Sequence, residues 1–224
     1  MGLTGAYIQF QLLIDCLIKM QATINDKNEF ICFFRQYYAD NEDTLEDIDD
    51  FEKTYSSDSV LSWYTRESFL YRILNKALRI QNVSLLYRCR FIIRDIERKL
   101  NENKCLRPVH VYRAQLMSQD EIRRISDSIG GFIFINSFFS TSIDRRQAVS
   151  FLLDDDDDIN DLKKVLFDID ADPTLDDIKS FSNISKFSDF PEENEILFML
   201  GSIFRLNDVQ RGNHGIITIK MSLC

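Results

Sequence analysis

The periodicity of the chain changes at Pro108, and that change limits the folds open to it. Before this point apolar residues recur at intervals of three and four. In "ESFLYRILNKALRI" the residues Phe69, Leu70, Ile73, Leu74, Ala77 and Leu78 line one face of a helix. "SLLYRCRFIIRDIERKL" does the same through Leu85, Leu86, Cys89, Ile92, Ile93, Ile96 and Leu100, with Ser84 as N-cap. Amphipathic stretches near residues 6–21 and 28–39 and a short acidic helix over 44–52 complete a helical half. Beyond Pro108 the texture is that of strands: "VHVYR" (109–113), "GFIFINSFFSTS" (131–142), "KVLFDID" (164–170), "EILFML" (195–200), "SIFRL" (202–206) and "GIITIKMSL" (215–223). Ser118 and Glu121 form a capping box for one short helix, and Asp144 caps another over "IDRRQAVSFL". A helical half followed by a mostly β half is an α+β pattern.

The 224 residues are 45% apolar, with 18 Phe, enough to build a substantial buried core. A net charge of −9 argues against a phosphate-tracking surface, so no nucleic-acid partner is expected. No apolar run approaches the roughly 18 residues of a membrane span. The N-terminus also lacks the basic start and cleavage site of a signal peptide. The expectation is a cytoplasmic chain with no membrane partner. Five cysteines without a CxxC pair, and only two histidines, give no zinc pattern. The acidic run Asp154–Asp158 lacks the glycine and spacing of a calcium loop and reads as solvated. A strand pattern that runs to Cys224 suggests a piece of a longer chain.

Three features of the β half carry chemistry. Arg113 ends the "VHVYR" alternation on the same side as Val109 and Val111, where a guanidinium needs an anion. That anion is either a carboxylate of this chain or a ligand phosphate. "FFSTS" offers the small hydroxyls Ser140 and Ser142 on one face, flanked by Phe138 and Phe139. "FPEENEILFML" places Glu193 and Glu195 two apart, which in a strand aims both carboxylates into one space. Neither histidine lies near a persuasive Ser or Cys motif, and there is no Gly-rich phosphate loop. An arginine, serines and two carboxylates suit the stabilisation of positive charge developing on a sugar carbon.

In that order, Arg113, then Ser140-Thr141-Ser142, then Glu193-x-Glu195 resembles the R-S-E signature of arginine-specific mono-ADP-ribosyltransferases, which use NAD. The three motifs stand 27 and 55 residues apart. "WYTRESFLYRILNKALR" is similar to the family's helix with Tyr and Asn-x-Ala-Leu-Arg, so the likeness spans roughly residues 60–224. It implies a catalytic domain over 60–224 (helical 60–105, β core 106–224) behind an N-terminal helical segment, 1–59. The implied fold packs the helices on a two-sheet β core that forms an NAD-binding cleft.

The resemblance also implies roles. Arg113 would clamp the NAD phosphates, the Ala114 backbone would hold the nicotinamide amide, and Phe151 would lie against the ring. Gln115, Phe138, Thr141 and Ser142 complete the expected cofactor wall, with NAD as co-substrate and no metal. Ser140 would orient Glu195, and Glu195 would bond the ribose 2′-hydroxyl. Glu193 would receive the guanidinium of a protein acceptor, since relatives that modify other residues often carry Gln there. Phe187 and Phe190, in the loop before it, would face that acceptor. Position 114 often holds glycine in the family; if its backbone needs a positive φ, alanine costs about 1 kcal/mol. The alternatives are an NAD glycohydrolase, a catalytically silent nucleotide- or protein-binding domain, and a retaining glycosidase, which wants its carboxyls on opposite sides of the sugar.

Overall fold

Apolar stripes turn into buried faces in the first hundred residues. The computed structural model describes residues 5–21, 23, 25–66, 68–152, 162–212 and 215–224. The acidic run Asp154–Asp158 and His214 lie outside them. Seven helices occupy the described part of this half: α1 (Gly5–Lys19), α2 (Asn25–Tyr37), α3 (Glu42–Thr54), α4 (Val60–Thr65), α5 (Phe69–Arg79), α6 (Val83–Arg88) and α7 (Arg90–Glu102). All six stripe residues of α5 are buried. The expected single helix over 84–100 is two: Asn82, not Ser84, caps α6 by accepting from the Leu85 N–H, and Cys89 ends it before α7 begins.

Phe30, Phe51 and Phe69 meet in one aromatic cluster, with ring centroids 5.5 and 6.0 Å from Phe30. This cluster unites residues on both sides of position 59. Two compact units divide between Glu102 and Asn103, and the short segment Lys186–Phe190 belongs with the helices.

The second unit holds the strands. They are β1 (Val109–Ser118), β2 (Phe132–Phe134), β3 (Phe139–Ser142), β4 (Leu162–Ala171), β5 (Phe181–Asn183), β6 (Glu195–Phe198), β7 (Ile203–Arg211) and β8 (Ile217–Leu223). Two short helices, α8 (Gln119–Ser126) and α9 (Arg145–Ser150), follow β1 and β3. The expected capping box of Ser118 and Glu121 starts α8, and Asp144 caps α9 by accepting from the Arg146 N–H. The strand expected over 131–142 is interrupted: β2 and β3 are separate, and they pair with β7 and β6 respectively.

The two expected sheets are joined into one eight-stranded order, β2-β7-β8-β4-β1-β3-β6-β5. A single register pair, Tyr112↔Ser142, links β1 to β3, so five strands and three strands meet at one rung. Val111, Phe139, Phe167, Ile196, Phe198, Phe204 and Ile219 share the core of this unit. No helix of the described residues is long and apolar enough to cross a membrane.

Candidate functional site

The pairing of β3 with β6 brings the serine motif to the glutamates. Phe139↔Phe198 and Thr141↔Ile196 fix the register, which sets Ser142 opposite Glu195 and Ser140 opposite Leu197. From there the Ser140 hydroxyl acts on the Glu195 carboxyl as a hydrogen-bonding influence that favours its charged form. Glu195 is 6% exposed. Burial is the largest influence on its carboxyl and carries its pKa from 4.5 up to about 6. The Ser140 hydrogen bond works against that rise, the charge of Glu193 adds to it, and Arg113 subtracts from it. Glu195 therefore stands within electrostatic reach of both other motifs.

Glu193 reaches this neighbourhood by a route that strand periodicity misses. It does not share a strand with Glu195, as the i, i+2 argument supposed. Pro191–Glu193 form a 3-10 turn, Asn194 takes a left-handed conformation at φ 50°, and β6 starts only at Glu195. The Asn194 amide donates to the Glu192 carbonyl at 3.1 Å, a local bond that suits asparagine to this conformation. The Ser142 hydroxyl donates to the Glu193 carbonyl at 2.6 Å and accepts from the Asp144 N–H at 3.0 Å. One hydroxyl thus ties the glutamate turn to the cap of α9. The Glu193 carboxyl is raised above its ordinary value by burial, then by the charge of Glu192.

Arg113 shares its strand face with the buried Val111 and Met117. Its guanidinium donates to the Ser140 carbonyl at 2.8 Å and to the Gln115 side chain at 3.4 Å, and it lies 5.1 Å from the centre of the Phe139 ring. Ala114 follows in extended backbone, outside the positive-φ positions, so alanine there carries no penalty. Because β3 pairs with β1 only at Tyr112, the β1 edge at Ala114 has no β3 partner in the register.

The remaining expected contacts separate by burial. Phe138 is buried, and the Thr141 hydroxyl is taken up by the Ile196 carbonyl at 2.8 Å. Phe151 is 56% exposed at the end of α9. Phe187 and Phe190 belong to the helical unit, with Phe190 exposed and the Lys186 ammonium 4.6 Å over the Phe187 ring. Among the described residues no group of three or more His, Cys, Asp or Glu is placed to hold a metal ion. Cys105 and Cys224 are both free thiols. No motif of the sequence marks Asn194 or the bond from Ser142 to Glu193. A proline three residues before an asparagine at a strand start is the turn signal that was there to read.

No protein-family model and no curated protein sequence matches the chain. Solved structures do. The ADP-ribosyltransferase Vis from Vibrio splendidus, in complex with agmatine, is similar with a TM-score of 0.58 at 17% identity, over 94% of this chain and 90% of that one. The ADP-ribosyltransferase HopU1 of Pseudomonas syringae gives 0.61 at 18% identity, over 92% and 99%. C3stau2 from S. aureus, solved with NAD, gives 0.54 at 15% identity, over 76% and 88%. The helical unit and mixed sheet described above thus make up the ADP-ribosyltransferase fold.

Proposed function

We propose that this chain, built on the ADP-ribosyltransferase fold, transfers ADP-ribose from NAD to an arginine side chain of a protein acceptor and releases nicotinamide. The observation that carries the reading is Glu195, a nearly buried carboxyl whose pKa is raised by burial and by the charge of Glu193 and lowered by Ser140 and Arg113. A fold does not by itself fix a function; the chemistry around Glu195 points to one.

Arg113 holds the pyrophosphate by charge-assisted hydrogen bonds, a task that suits a guanidinium fork. The open β1 edge at Ala114 takes the nicotinamide amide, and the exposed Phe151 supplies an aromatic face for the ring. Glu195 accepts from the ribose 2′-hydroxyl. As the glycosidic bond breaks, its electron pair leaves with nicotinamide, and positive charge grows on the ribose C1′. The Glu195 carboxylate stabilises that charge where it develops. A guanidine nitrogen of the acceptor then forms the new bond to C1′ and gives up a proton, which Glu193 receives. The raised carboxyl of Glu193 brings its proton affinity closer to that task. Thr141 and Ser142 serve as strand and turn fasteners in this scheme, since their hydroxyls bond backbone carbonyls.

Nicotinamide release from NAD by the wild-type chain and by Glu195→Gln tests the reading. Release by the wild type that is lost in the variant supports it, and equal rates in both would sink it.

A further inference from the structure

We infer that Arg66 is a positioning residue for acceptor recognition, because it anchors the segment leading into Glu193; this rests on the acceptor role proposed for Glu193. Arg66 directly follows α4 and is held from several sides. Its guanidinium lies 4.6 Å over the ring of Trp63, which is itself buried and 5.1 Å from Phe51 in the aromatic core. One nitrogen, Nη1, meets the Asp50 carboxylate of α3 at 3.3 Å. Nε meets the carboxylate of Asp189 at 3.2 Å.

Asp189 makes more contacts with the same helix end. Its other carboxylate oxygen accepts from the Ser62 hydroxyl at 3.1 Å, and its backbone N–H donates to the Thr65 hydroxyl at 3.4 Å. Residues more than 120 positions apart in sequence thereby converge on one aspartate. A lone exposed ion pair holds little, but a guanidinium already stacked and paired loses little further freedom when Asp189 arrives. Asp189 lies four residues before Glu193, with only Phe190, Pro191 and Glu192 between them. Pro191 fixes one backbone angle in that bridge. Fastening Asp189 therefore restrains the chain that enters the Pro191–Glu193 turn. The consequence falls on the acceptor half-reaction: the anchor restrains the Lys186–Phe190 segment, which carries Phe187 and Phe190 and continues directly into the turn of Glu193, while the NAD half-reaction is independent of it.

Two readouts test this on the full chain, with Arg66→Gln and the charge-preserving Arg66→Lys. Amide hydrogen exchange over residues 186–193 is expected to quicken several-fold in Arg66→Gln, with Arg66→Lys between it and the wild type. The KM for agmatine in ADP-ribose transfer is expected to rise several-fold in Arg66→Gln, while nicotinamide release without acceptor keeps its wild-type rate. Unchanged exchange across the segment would overturn the anchor. So would an equal fall of transfer and acceptor-free release, which is the mark of general damage. If the wild type itself releases no nicotinamide, the proposed function fails, and hydrogen exchange still decides the anchor.

Discussion

The Ser142 hydroxyl donates to the Glu193 carbonyl at 2.6 Å, although the β3–β6 register sets Ser142 opposite Glu195. The two serines divide the work: Ser140 lowers the pKa of the Glu195 carboxyl, and Ser142 fastens the backbone of Glu193. Removing either hydroxyl has a different consequence, and the charges around Glu195 set the sign of each.

The first consequence is a pH dependence. In the proposed reaction Glu195 has to be ionised to stabilise the developing cation, and its pKa is raised to about 6. NAD consumption is expected to fall tenfold per unit as pH drops below about 6, with a plateau above it. Nicotinamide release followed between pH 4.5 and 8.5 reads this limb directly.

Ser140→Ala and Glu193→Gln are expected to move that limb in opposite directions. The Ser140 bond favours the charged carboxylate, so its loss raises the midpoint; the Glu193 charge disfavours it, so its loss lowers the midpoint. Glu193→Gln should also lose most transfer to agmatine while still releasing nicotinamide. Midpoints that both rise, or that both stay fixed, would contradict the electrostatic account.

Stability should run opposite to activity at Glu195. Its folded pKa is raised above the unfolded value, so its contribution to stability is complete below about pH 4.5 and is lost as pH rises through about 6. A shift of that size corresponds to about 2 kcal/mol. Glu195→Gln is therefore expected to melt at a higher temperature than the wild type at pH 8. The difference should vanish at pH 4, and thermal unfolding at the two pH values checks both halves.

In the helical unit, Arg90 and Asp26 form a buried ion pair at 2.8 Å, with Arg90 5% and Asp26 2% exposed. Arg90 also donates to the Tyr87 carbonyl and stacks on the Tyr87 ring, while the Thr23 hydroxyl donates to Asp26. Removing one partner strands a buried charge, so Arg90→Met is expected to cost about 3–5 kcal/mol in urea unfolding. The double change Arg90→Met with Asp26→Leu should recover most of that loss. A double variant as unstable as the single one would show that the pair matters for more than mutual neutralisation.

Much of this was legible in the chain because it is local. The α5 stripe, the Ser118–Glu121 capping box and the Asp144 cap each rest on steps of four positions or fewer along the chain. The order of Arg113, Ser140 and Glu195 was legible as a pattern, but their meeting depends on strand register, which no single motif encodes. The split of α6 from α7 at Cys89 was hidden because the apolar repeat runs through the break. Glu193 and Glu195 were placed near each other for the wrong local reason, since a 3-10 turn and a left-handed Asn194 stand where strand alternation was assumed. The contacts of Arg66 with Asp189 could not be read at all, because they join segments more than 120 residues apart.

The central claim is transfer of ADP-ribose from NAD to a guanidine, and the most direct test is to incubate the chain with NAD and agmatine and weigh the products. The account predicts an adduct of agmatine and ADP-ribose, formed together with nicotinamide and absent with Glu195→Gln. Nicotinamide released at a rate indifferent to agmatine, with no adduct, or no release at all, would contradict it.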